Sequence, residues 1–416
     1  MLKILHLSDI HIGSGFSHGK INPATGLNTR LEDFVKTLSL CIDRAINEPV
    51  DLVLFGGDAF PDATPPPFVK EAFASQFRRL VDAQIPTVLL VGNHDQHSQG
   101  IGGASLGIYR ALEVPGFIVG ENLQTHVIDT AHGKIQVITL PWLTRSTLMT
   151  KSETEGLSLE EVQGLLIHKL KIVLEGEIRK LDATLPTVLL GHLMADRATL
   201  GAERYLAVGK GFNIPISLLN RPCFEYVALG HIHKHQNLNK NNDPPIVYPG
   251  SIERVDFSEE KEDKGYVLIE LEKGKVHWEF CPLPVRKFQT IKVNISEVEN
   301  PQEIILEEIS KHNIDDAVVR LIYQLRSEQL EMIDNKILHK ALKTAHSYSI
   351  QPDLISQLAR PRLPELTASQ SIDPMFALRT YLDNRDDLRE LREEMVMAAQ
   401  TLLGMEEDIS QDLSEV

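Results

Sequence analysis

Five short polar signatures, each at the end of an apolar run, constrain this chain more than any other feature: Asp9-Ile10-His11, Gly57-Asp58, Gly92-Asn93-His94-Asp95, Gly191-His192 and Gly230-His231-Ile232-His233. The runs in front of them are Leu2 to Leu7, Asp51 to Phe55, Thr87 to Val91, Thr187 to Leu190 and Tyr226 to Leu229, all rich in Val, Leu and Ile. Such runs suit strands buried on both faces, as in α/β sheets covered by helices. In an open α/β sheet the ligand site lies outside the carboxyl ends of the strands. All five signatures occupy that position.

Side chains at i and i+2 of a strand point the same way, so Asp9 and His11 are expected to aim together, as are His231 and His233. Asp58, Asn93 and His192 fill the remaining corners of a metal-binding site. Oxygen and imidazole donors without thiolate favour borderline to hard divalent ions, with manganese expected and iron or zinc as alternatives. A pair of such ions can hold a scissile phosphate and stabilise both attacking and leaving oxygens. The carboxylates of Asp9 and Asp58 neutralise only half the charge of two divalent ions, so the site suits an anionic substrate despite an acidic surface.

A single His after Gly at a strand end is more often structural, and a lone Gly-Asp carries no signal. The five signatures in this order resemble the calcineurin-like metallophosphoesterase superfamily, over roughly residues 1 to 285. Pro249-Gly250-Ser251-Ile252-Glu253-Arg254-Val255-Asp256-Phe257, followed by Glu259-Glu260 and Lys264-Gly265, is similar to the narrower SbcD-type DNA repair exonucleases. The resemblance implies a sandwich of two sheets flanked by helices. It also implies one ion on Asp9, His11, Asp58 and His233, and another on Asp58, Asn93, His192 and His231. His94 matches a catalytic histidine of the family. Histidine titrates near ~6.5, and a neighbouring carboxylate such as Asp95 would favour its charged form. His94 is therefore expected to protonate the leaving oxygen or to stabilise its charge, with Asp95 as its catalytic companion. Asp62, shortly after Gly57-Asp58, is read as loop polarity.

The chain has 416 residues, enough for two or three domains, and its 42% hydrophobic and 24% charged residues exclude general disorder. Three scattered cysteines, Cys41, Cys223 and Cys281, fit a reducing cytosol. The apolar run at the N-terminus is too short for a signal peptide, and no stretch approaches a membrane span, so a cytoplasmic protein is expected. The net charge of −16 counts against tight autonomous DNA binding, though not against cleavage. Candidate DNA contacts are Arg197, Arg204 and Lys210 after Gly191-His192, and Arg254.

Helical patterns at Leu31 to Ile46 and Val69 to Ala83 alternate with the strands. Lys134 to Leu140 and several short strands from Tyr226 to Phe280 are expected in the second sheet, and Leu157 to Leu181 as a packed helix. Residues 286 to 355 read as a small α/β domain: strand Gln289 to Ile295, helix Pro301 to Lys311, strand Ala317 to Leu325 and helix Glu328 to Ala345. In the resembled family such a domain caps the nuclease and helps bind DNA. A proline-bearing linker opens residues 356 to 416, and Asp373-Pro374 looks like a helix start. Leu388, Leu391, Met395, Ala398 and Leu402 form a narrow seam of the kind a helix docking on a coiled coil shows. The resemblance names the partner as the coiled-coil ATPase SbcC. No Walker-type loop occurs, so ATP use must come from another chain.

The expected function is thus a metal-dependent DNA nuclease, a 3′–5′ exonuclease and hairpin-opening endonuclease in double-strand break repair, recombination and replication. By resemblance it works as a homodimer within a heterotetramer with SbcC. The competing expectations are a superfamily phosphoesterase acting on nucleotides or phosphoproteins, and a non-catalytic scaffold for the ATPase.

Overall fold

The computed structural model describes residues 1–97, 103–144, 148–149, 151–199, 201, 212–240, 244–355, 374–383, 385, 388 and 391–400. Contacts divide the chain into two compact units. The first comprises Met1–Val293, Gln302–Tyr323 and Asp334–Gln351, and the second Asn294–Pro301, Gln324–Ile333 and Pro352–Val416.

Two six-stranded sheets build the first unit. The strands are β1 (Leu2–Leu7), β2 (Leu52–Phe55), β3 (Thr87–Leu90), β4 (Phe117–Gly120), β5 (Gln124–Thr130), β6 (Gly133–Leu140), β7 (Thr187–His192), the two-residue pair β8 (Met194–Ala195) and β9 (Asn213–Ile214), β10 (Tyr226–Gly230), β11 (Gln236–Asn237), β12 (Ile246–Tyr248), β13 (Gly265–Glu272) and β14 (Lys275–Pro282). One sheet runs β14-β13-β1-β2-β3-β4 and the other β11-β12-β10-β7-β6-β5.

The near-continuous apolar runs are explained by burial on both faces. Ile4, Leu52, Leu54, Val88 and Leu90 meet Val137, Val188, Leu190 and Ala228 in a core between the sheets. The alternate residues Leu5, Leu7, Val53, Phe55 and Leu89 pack outward with helices α1 (Thr29–Asn47) and α2 (Pro67–Asp82). Helix α1 starts at Asn28, whose side chain accepts from the Arg30 N–H, and buries Leu31, Phe34, Leu38, Cys41, Ile42 and Ala45 at helical spacing. Helix α3 (Leu159–Ile178) covers the second sheet through Val162, Leu166, Leu170 and Leu174, and opens with a Ser158–Glu161 capping box.

The last hairpin differs from the sequence expectation. β13 and β14 belong to the first sheet, not the second: β13 runs antiparallel to β1, with Leu2 opposite Leu271 and His6 opposite Val267. Val267, Ile269 and Leu271 then fill the inter-sheet core from the first sheet's side, a choice their alternation leaves open.

A three-stranded sheet follows, ordered β15 (Phe288–Asn294), β16 (Val318–Leu325), β17 (Ser347–Leu354), with helix α4 (Pro301–Ser310) between the first two strands in sequence. The helix expected from Glu328 to Ala345 is interrupted. Its first part is a 3-10 turn, Ser327–Met332, and Asp334 then caps α5 (Asn335–Ala341) by accepting from the Lys336 N–H. β17 was not anticipated, because Pro352 and the polar residues around it mask its alternation. In the second unit, Gln329 Nε2 donates to Ile295 O at 2.7 Å, α6 spans Pro374–Asp383, and a further helix covers 392–400. Arg392 pairs with Asp383 there. Among the described residues no helix is long and apolar enough to cross a membrane.

Candidate metal centre

The five signatures emerge where β1, β2, β3, β7 and β10 end or have just ended, all within the first unit. Alternation along a strand does not aim them. Asp9 (φ 52°), His11 (φ 46°), Asp58 (φ 59°) and His231 (φ 100°) all have left-handed backbones, which is uncommon outside glycine and clusters at functional sites. Cross-links hold these turns. The Asp9 N–H donates to Gly57 O at 3.0 Å, the His11 N–H to Asp58 O at 3.1 Å, and the His231 N–H to both Asp9 carboxylate oxygens at 3.0 and 3.1 Å. Glycine precedes Asp58 and Asn93 because nothing larger fits: a Cβ on Gly92 would sit 2.1 Å from Asp58 Oδ1, and one on Gly57 2.5 Å from His192 Nδ1.

Two groups of donors result. Ligand atoms of Asp9, His11 and His233 lie within 4.8 Å of one another, and so do those of Asp58, His192 and His231. Asp58 Oδ2 stands between the groups, 3.6 Å from His11 Nε2 and 3.3 Å from His192 Nε2. Asn93 Oδ1 completes the second group, 2.9 Å from His192 Nε2 and 3.0 Å from His231 Nδ1.

The hydrogen bonds fix which nitrogens are available. His192 Nδ1 donates to Gly56 O at 2.7 Å and His233 Nδ1 to Glu259 Oε1 at 2.6 Å. Each Nε2 is then the nitrogen aimed inward, free to meet an ion or hold a proton. His233 Nε2 faces His11 Nε2 at 3.0 Å, and His231 Nε2 is buried without a hydrogen-bond partner among the described residues. Converging lone pairs repel unless a cation or a proton lies among them. Burial with nitrogen and carboxylate donors, and no thiolate, fits divalent ions.

Electrostatics point the same way. Burial pushes the Asp9 carboxyl up, against the pull of His192 and His233. For Asp58 burial acts upward too, but the charge and hydrogen bond of His192, with His11, outweigh it and hold the group below the usual carboxylate range. His192 is raised to about 9, because Asp58 overcomes the effect of burial. Burial and the neighbouring His192 push His231 down to about 3, and burial with His233 lowers His11.

A model of the calcineurin-like phosphoesterase family matches residues 2–235 of the 416. The chain belongs to this family. Among curated proteins it is similar to the SbcD component of nuclease SbcCD from Staphylococcus saprophyticus, 24% identical over 296 residues that cover 70% of this chain and 72% of that protein. Similar solved structures include a dimetal phosphatase from Danio rerio, at 11% identity and TM-score 0.39 over 65% of this chain and 92% of that one. Another is purple acid phosphatase from yellow lupin, at 14% identity and TM-score 0.37 over 64% and 49%.

Calcineurin-like phosphoesterases work through a dinuclear metal site, and the two donor groups are its candidate ligands in this chain. His94 is half-buried with its ring edge-on to His11, centroids 4.9 Å apart. Its companion is not Asp95. His94 Nδ1 lies 2.7 Å from Pro61 O, while the Asp95 carboxylate turns into the fold and accepts from the N–H groups of Asp58, Ala59 and Gly92 and from Ser105 Oγ. Asp95 is wholly buried, and burial with the Asp58 charge pushes it up to about 6. It is a brace that joins the Asp58 turn to the Asn93 turn.

Of the candidate DNA contacts, Arg197 is exposed after β8, and Arg204 and Lys210 lie outside the described residues. Arg254 faces inward: its guanidinium donates to the carbonyls of Glu259, Glu262 and Arg286. That accounts for its side chain without a nucleic acid. Asp62 accepts from Thr64, a local turn as expected.

Sequence reasoning missed Glu259 and Lys264 as supports of the centre. Glu259 Oε2 takes the Lys264 ammonium at 2.9 Å, and Lys264 Nζ also donates to His233 O at 3.0 Å, with both side chains almost wholly buried. The attraction of His233 and Lys264 overcomes burial and keeps Glu259 ionised, its pKa below the usual range. The pattern Glu259-x4-Lys264 marked the resemblance without disclosing this role.

Proposed function

We propose that this phosphoesterase is a manganese-dependent DNA phosphodiesterase, acting as a 3′–5′ exonuclease and hairpin-opening endonuclease in double-strand break repair, recombination and replication, with an SbcC-type coiled-coil ATPase as partner. Support comes from the two convergent donor groups of a family metal site, together with the 24% identity to a nuclease component over most of both chains. Two divalent ions, when bound, would supply the Lewis acidity that activates water and spreads the charge of an in-line displacement. The chain's own part is to position and to move a proton. Asp9, His11 and His233 would hold one ion, Asn93, His192 and His231 the other, and Asp58 both.

His94, outside the donor groups but against His11, is the proton donor to the leaving oxygen in this reading. Arg197 is a proposed backbone contact. Residues 1–285 form the nuclease domain, 286–355 the cap, and 356–416 the linker and ATPase-binding helices. Leu391 and Met395, on the expected seam, are 49% and 38% exposed, while Leu402 lies outside the described residues. A homodimer within a heterotetramer, in the cytoplasm, completes the proposal.

The test is cleavage of linear duplex and hairpin DNA with chelator, with manganese restored, and with a coiled-coil ATPase added. Chelation should abolish cleavage and manganese restore it. Turnover of a chromogenic phosphate ester alone, with no DNA cleaved even with the ATPase, would instead indicate a phosphoesterase of other substrates.

A further inference from the structure

Trp142 is one of two tryptophans in the chain, and no metal-binding signature includes it. It lies two residues beyond the end of β6, so it reaches the same rim as the ligands. Its N–H donates to Val91 O at 3.2 Å and its carbonyl accepts from Gln96 Nε2 at 3.4 Å, which ties it to both ends of the Asn93 turn. The indole lies against the His231 ring, centroids 4.7 Å apart and planes 38° apart, and stands edge-on to His192 at 6.1 Å. His231 and His192 are buried, whereas Trp142 is half-buried against them.

The centre is therefore flanked by two different rings. His94 borders the Asp9, His11 and His233 group and can carry a proton. Trp142 borders the Asp58, His192 and His231 group and does not ionise near neutral pH, its one polar atom being the indole N–H. Its contribution is a large, flat π-face held rigidly by the backbone. A phosphate gains nothing from such a surface, but a nucleobase does.

We infer that Trp142 is the nucleobase platform of this site, stacking on the base of a nucleotide adjoining the scissile phosphate. The inference rests on the nuclease reading and narrows it. A base can stack on indole only with a face free of its neighbour, so the site takes a terminal nucleotide or one from a locally opened strand. Selection is tolerant of sequence, since every base has a π-face.

The test uses oligonucleotides carrying one abasic residue at successive positions around the scissile linkage, cleaved with manganese by the wild-type chain, Trp142→Ala and Trp142→Phe. The wild type should lose roughly five- to hundredfold in kcat/KM, mostly through KM, when the base at one position is removed. Trp142→Ala should lose a similar factor on intact DNA and nothing further on that abasic substrate. Phe should restore most of the loss, with manganese content unchanged throughout.

Losses from ring and base that simply multiply, or a manganese deficit that accounts for the Ala variant, would overturn the inference. A wild type indifferent to base removal at every position would do so too, and that measurement requires no variant to fold. A wild type that cleaves no DNA even with the coiled-coil ATPase added condemns the nuclease reading itself, a separate outcome.

Discussion

Glu259 and His94 touch the metal centre in ways that metal content and turnover can separate. Glu259 holds the Nδ1–H of His233 at 2.6 Å while its other oxygen is held by Lys264, so it orients the imidazole and raises its basicity toward an ion. In Glu259→Gln an amide N–H must face the buried Lys264 ammonium or the His233 N–H. Manganese affinity should fall by roughly 10- to 100-fold for one of two ions, splitting a titration calorimetry isotherm into two steps. Equal weakening of both ions would show that Glu259 serves general stability instead. His94 belongs to neither donor group. His94→Ala should keep both ions, by elemental analysis, and lose on the order of 10²- to 10⁴-fold in cleavage rate. Unchanged cleavage would remove its proton-donor role. His94 was legible in the sequence because it adjoins Asn93. Glu259 was not, because it comes 26 residues after His233 and only the folded chain brings them together.

At the scale of elements, the buried strands were legible because burial on both faces leaves an uninterrupted apolar run. What the period of a strand could not show is how the ligands are aimed. After β1, β2 and β10 a left-handed backbone at Asp9, His11, Asp58 and His231 does the aiming, with Gly57 O, Asp58 O and the Asp9 carboxylate holding the turns at Asp9, His11 and His231. The sheet assigned to β13 was likewise illegible, since Val267, Ile269 and Leu271 suit either inner face. Within β1 one buried polar residue stands among the apolar ones. His6 is fully buried beside Tyr226, and burial, with His235, pushes its pKa down to about 3 against the Leu229 carbonyl, which acts to raise it. It is neutral in the fold but takes up a proton near ~6.5 when unfolded. Below that pH the unfolded state binds more protons, so stability is complete above about 6.5 and is lost as the pH falls from there toward about 3. Urea unfolding of the wild type and His6→Asn between neutral pH and acid should differ in slope by up to ~1.4 kcal/mol per pH unit, the wild type falling faster. Parallel curves would mean that His6 titrates alike in both states.

At the scale of the molecule, a formal charge of −16 would oppose the polyanionic substrate of the proposed nuclease. Nonspecific affinity for duplex DNA grows with the number of phosphates neutralised, and each contributes about −0.9 to the slope of log affinity against log salt. Arg254, expected in that role, spends its guanidinium on backbone carbonyls, whereas Arg197 is exposed. If Arg197 is one of only one or two phosphate contacts on this chain, the slope should be shallow, no steeper than about −2, when duplex binding is measured over roughly 50 to 200 mM monovalent salt. Adding the coiled-coil ATPase should steepen it if, as proposed, the partner supplies the cations that grip the duplex while this chain supplies the cut. A slope near −6 for the chain alone would correspond to roughly six or seven phosphate contacts. That would require a basic track on this protein and would leave the ATPase with no necessary part in holding DNA.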